Sequence, residues 1–204
     1  MRLAILVLAF LGTSAVANPV ATADATKVWE RCIVAASRTH AEVSCAIGYS
    51  IRSQATEPLY IAVPVFVPLA TPKERFAEIV RARLEFDTGG STHTPIRYED
   101  RGTDHAPSGM KLVDCVFIFG RAPARAFSIV ASYQQPIHEG TFYYRPQFED
   151  GSQPRDTKTH SVTVFPTDGA SIELVTPKSP GAKALATRIT IKPEHQKLIA
   201  IAVR

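Results

Sequence analysis

The chain has 204 residues, 45% of them hydrophobic and 21% charged, with a net charge of +4 at neutral pH. That composition is ordinary globular usage and excludes wholesale disorder. The Lys and Arg residues are scattered rather than run together, which reads as a solvated mixed-charge surface and argues against nucleic acid as a partner.

Met1-Arg2, the apolar run Leu3 to Leu11 and the small-residue sequence Ala15-Val16-Ala17 predict a secretory signal peptide over residues 1–17. Residues 18–204 are then a single β-rich domain. No second apolar stretch reaches the ~18 residues of a membrane helix, so no transmembrane segment is expected after signal cleavage. The expected location is periplasmic or secreted.

From Thr26 the apolar residues Val28, Trp29, Cys32, Ile33 and Ala36 recur at helical spacing and predict one short N-terminal helix, ended by Ser37 to Thr39. Val43, Cys45, Ile47 and Tyr49 then alternate with small and polar residues, the period of a half-buried strand. Leu59 to Val67 reads as a strand buried on both faces. Pro64, which cannot donate to a ladder, puts it at an edge or a bulge. Thr71-Pro72-Lys73-Glu74 predicts a turn of helix and Val80 to Phe86 a strand after it.

Residues 88–109 are the longest irregular region, with a short strand at Thr94 to Tyr98. Leu112 to Phe119 is the strongest central-strand candidate, although Asp114 inside it requires a partner. Phe127 to Tyr133 and Phe142 to Tyr144 follow, then a punctuated loop from Phe148 to Lys158. Val162 to Phe165, Ile172 to Val175, Leu185 to Ile191 and Leu198 to Val203 complete a series of short strands between Gly and Pro turns. The fold class read from this pattern is mainly β, an antiparallel β-sandwich of Ig-like or jelly-roll-like type.

Three cysteines in an oxidising compartment leave one unpaired. Cys32 with Cys45 is the favoured disulfide, and Cys45 with Cys115 the alternative. Cys115 lies in an apolar strand, where a thiol behaves as a small hydrophobe.

Asp87-Thr88-Gly89, at the end of an apolar strand, resembles the active-site turn of the aspartic proteases. That resemblance implies an Asp87 carboxylate sharing a proton with a second one. Since the motif occurs once, a homodimer would have to supply it. The competing reading is a polar turn, which Asp, Thr and Gly supply for conformational reasons alone.

His93, Glu99, Asp100, Asp104 and His105 are potential metal ligands whose spacing matches no compact motif, so no metal and no cofactor are expected. Neither a G-x-S-x-G turn nor a phosphate-cradling loop is present. Phe142, Tyr143, Tyr144 and Phe148 cluster beside Arg145. Phe142 and Tyr144 share one side of a strand and read as core, leaving Tyr143 and Arg145 as a candidate binding patch.

Trp29, Cys32 and Cys45, followed by a proline-bearing apolar strand, resemble the start of the bacterial invasion-associated locus B family of periplasmic proteins. The later cysteine pair of that family is missing, and no role is carried over from it. The reading is a non-enzymatic, exported protein of a bacterial envelope, of binding or structural accessory type, with another envelope protein or a cell-surface component as its partner. An Asp87 peptidase is the alternative.

Overall fold

The computed structural model describes residues 25–51, 58–87, 89–104, 106–119, 126–145, 160–176, 187–191 and 198–204. The signal peptide expected at 1–17, the loop expected at 148–158, Thr88 and His105 lie outside the described residues.

Among the described residues, twelve strands form three sheets. The largest has six, in the order β11 (Ile189–Ile191), β9 (His160–Pro166), β1 (Ala25–Ala36), β2 (His40–Ile51), β7 (Ala126–Pro136) and β4 (Arg83–Phe86). A second consists of β3 (Leu59–Pro68), β6 (Met110–Phe119) and β5 (Arg97–Gly102). The third is β10 (Ile172–Thr176), β12 (Ile199–Val203) and β8 (Thr141–Tyr144). One continuous core joins them, with Val34, Ile47 and Ile129 from the first sheet, Ile61 and Phe117 from the second, and Phe142 and Ile201 from the third. The chain is thus mainly β, with a sandwich-like arrangement of sheets around one interior.

The largest sheet is mixed rather than purely antiparallel, because β1 pairs antiparallel with β2 on one side and parallel with β9 on the other. The expected N-terminal helix is a strand. β1 buries Glu30, Cys32, Val34 and Ala36 at period two, while Ile33 is 58% and Val28 50% exposed. Val28 and Ile33 completed a helical stripe in the sequence but point to solvent, and the charged Glu30 points inward. Hydrogen bonding to neighbours on both edges then outweighs the stripe.

The short helix among the described residues is instead α1 (Phe76–Val80), entered through a 3₁₀ turn at Lys73–Arg75, and it buries Phe76 and Val80. β3 is an edge strand, which accommodates Pro64 without a missing ladder bond, and it is buried chiefly on one face. β6 is the centre of its sheet, as its apolar run required. The strand expected at Thr94 to Tyr98 forms later, as β5. β7 and β8 are joined by Glu139-Gly140, both at positive φ, the backbone of a tight hairpin turn that matches strand twist. No helix among the described residues is long and apolar enough to cross a membrane.

Candidate functional site

Successive residues of a strand face opposite ways, so Lys27 and Glu30, three apart, would ordinarily be separated by the sheet. A bulge between Lys27 and Trp29 inserts one unpaired residue, Val28, and turns both charges inward. The Lys27 ammonium donates to Glu30 Oε2 at 3.0 Å, with both side chains almost wholly buried. From β8, the Tyr144 hydroxyl donates to Glu30 Oε1 at 2.8 Å and lies 3.4 Å from Cys32 Sγ. Burial and the Glu30 charge push the phenols of Tyr144 and Tyr133 up, so both remain protonated donors.

This network borders an interior cavity that leaves about 30 Å³ to the centres of water molecules. That is room for a few waters or one small chemical group. Tyr143 and Arg145, the residues singled out in the sequence, line the same cavity. Tyr143 also packs on a satellite cluster of Phe66, Met110 and Leu112, so structure alone accounts for its ring. Gln135 ties the wall together: its Oε1 accepts from Phe66 N–H at 3.3 Å and its Nε2 donates to the Tyr143 carbonyl at 2.7 Å. The Arg145 Nε is buried without a hydrogen-bond partner among the described residues. Burial lowers the Arg145 guanidinium from its usual value, yet it stays cationic at neutral pH.

Sequence reasoning missed Lys27, Glu30, Tyr133 and Gln135. The first two looked like the polar face of a helix, and a bulge leaves no sequence mark. Tyr144 was placed correctly in the core.

Asp87 sits on the solvent face where β4 ends, its Oδ2 accepting from the Ser128 hydroxyl at 2.9 Å. Gly89 N–H donates to the Phe86 carbonyl, closing a turn in which Gly89 and Gly90 have φ of +84° and +139°. The potential metal ligands are dispersed. The His93 ring packs edge-on to Phe86 and Phe119. Glu99 pairs with Arg97 and Arg101, Asp100 pairs with Lys111, and Asp104 is exposed.

Among the described residues, Glu30, Cys32 and Cys45 are the one trio whose donor atoms lie close enough for a metal, and its sulfurs are joined as a disulfide. Cys32 and Cys45 stand directly opposite on β1 and β2, with Cα atoms 4.1 Å apart. Cys115 is free, buried, and its thiol is pushed up by that burial.

A serine–histidine–acid set not expected from the sequence occurs at the β1–β2 turn. Ser37 Oγ lies 3.2 Å from His40 Nδ1, and His40 Nε2 lies 3.9 Å from Glu42. The Ser37 hydroxyl donates to the His40 carbonyl at 2.8 Å and accepts from the His40 and Thr39 amides. It caps the hairpin and is spoken for.

No protein family and no curated protein matches the chain. Among solved structures, the chain is similar to a "putative nutrient binding protein" from Legionella pneumophila. The TM-score is 0.46 at 9% identity, covering 90% of this chain and 68% of that one. An M1 zinc metallopeptidase from Deinococcus radiodurans aligns with a TM-score of 0.39 at 10% identity over 89% of this chain and 43% of its own. Yeast LTA4 hydrolase in complex with bestatin aligns at 0.41 and 8% over 94% and 31%. The chain spans less than half the length of either of these two proteins. Similarity at this level carries no argument about activity.

Proposed function

We propose that this chain is an exported, non-catalytic protein of a bacterial envelope that binds a partner, and that Tyr143 and Arg145 take part in the contact. The observation carrying the reading is that both residues line one cavity beside the Lys27–Glu30–Tyr144 network. Arg145 brings to it a buried Nε without a hydrogen-bond partner among the described residues. The cavity volume suits a terminal group rather than a whole drug-sized ligand, so a carboxylate end or side chain of a larger partner fits better than a free metabolite. A disulfide joining β1 to β2 fits an oxidising compartment.

The test is capture from an envelope fraction by the mature protein and by its Arg145→Ala variant, alongside a turnover screen. A partner retained by wild type and lost by the variant at unchanged melting temperature is expected. A partner held equally by both removes Arg145 from the contact, and turnover without any partner overturns the reading.

A further inference from the structure

We infer that the solvent face of the six-stranded sheet carries a binding platform for a neutral saccharide, built from Trp29, Ser128 and Asp87. The inference is independent of the interior cavity. The bulge that turns Lys27 and Glu30 inward also sets Trp29 outward, opposite Gly48 on β2. The indole lies on that glycine so closely that a Cβ there would overlap Nε1, Cε2 and Cδ1. One ring face therefore shields backbone, and the residue as a whole is half-buried, with part of its surface open to solvent.

Gly48 pairs in turn with Ser128 on β7, and Ser128 meets Asp87 through both a backbone and a side-chain hydrogen bond. Trp29, Gly48, Ser128 and Asp87 thus form one row across four strands, about 14 Å long at the usual interstrand spacing. The neighbouring residues, Ser50 and Ala126, are small, and with Trp29, Gly48 and Ser128 they border an open depression of about 360 Å³.

The chemistry of the row selects the ligand. A flat aromatic ring with small neighbours accepts the C–H face of a pyranose, a use of the aromatic surface that needs no charge. The Asp87 carboxylate accepts hydrogen bonds from sugar hydroxyls, charge-assisted and so of the stronger kind, and the Ser128 oxygen, whose own hydrogen goes to Asp87, can accept one more. Among the described residues no Lys or Arg borders the depression, and the exposed carboxylate repels phosphate or sulfate, so anionic ligands are disfavoured. A row of this length suits two linked rings better than one.

Trp29 is the single tryptophan of the chain, so intrinsic tryptophan fluorescence reports this position alone. Titration with maltotriose, cellotriose and triacetylchitotriose, all uncharged, at millimolar concentration is expected to give a saturable shift in emission with at least one of them. Calorimetry with that sugar should show binding weakened about tenfold in Asp87→Asn and at least as much in Trp29→Phe. Asp87 is exposed, so its variant keeps the wild-type melting temperature and decides between the outcomes if Trp29→Phe folds poorly. An emission spectrum unmoved by all three sugars, or an affinity that Asp87→Asn leaves unchanged, overturns the inference.

Discussion

Buried polar groups of this chain are costly unless paired, and two carboxylates meet that requirement differently. Glu30 is held by an ammonium and a phenol. Asp114, in the middle of β6, is fully buried and has one oxygen satisfied, Oδ2 accepting from Arg101 Nε at 2.8 Å, while Oδ1 has no partner among the described residues. Burial, with the Glu99 charge adding to it, pushes the Asp114 carboxyl up against the opposing pull of Arg101.

A carboxyl raised on folding binds its proton more tightly in the folded state. Its contribution is therefore fully present below the ordinary carboxyl range and is lost as pH rises through the raised value. Asp100 runs the other way: burial raises it, but Lys111 and the Gly102 amide outweigh that and hold it low, so its share is lost as pH falls. The two are separated by difference. Urea denaturation at a series of pH values is expected to show Asp114→Asn gaining stability relative to wild type from acid toward neutral. A difference independent of pH would remove Asp114 as a titrating group.

At the scale of elements, the β1–β2 hairpin carries the interior network on one face and the Trp29 row on the other, and the disulfide fastens it from the core side. Its closed loop is short, so replacing both Cys32 and Cys45 by Ala is expected to cost roughly 2 to 3 kcal/mol, read as a fall in the urea midpoint at unchanged slope. A loss below about 1 kcal/mol would mean that strand pairing alone fixes the hairpin. β1 also shows why helical spacing misled: five apolar residues fitted the stripe, yet three of them, Val28, Trp29 and Ile33, lie on the solvent side. β2, β7 and β8 were legible because their buried residues alternate cleanly with smaller or more exposed ones.

For the whole molecule, the early and late parts of the chain are interleaved. β9 and β11, late in sequence, extend the sheet that begins with β1, and β12 is the central strand between β10 and β8. Among the described residues, the buried side chains of the C-terminal strands belong to the same core as those of β1 to β8. One cooperative transition is expected, with Trp29 fluorescence and far-UV circular dichroism coinciding. Ile201→Ala, at a fully buried position of β12, should lower both together by roughly 2 to 5 kcal/mol. Separate midpoints for the two probes would divide the chain into independent units.

The sequence by itself determined the β class, most strand positions, the Cys32–Cys45 pairing as the favoured choice and the core placement of Phe142 and Tyr144. These depend on local period, residue size and proximity along the chain. Only the tertiary structure decided that Thr26 to Ala36 is a strand, that β1 lies parallel to β9, and that Lys27, Glu30 and Arg145 surround one cavity while Trp29 and Asp87 share a row. Those outcomes come from hydrogen bonds between distant segments and from a single extra residue in a strand, and neither leaves a periodic trace in the sequence.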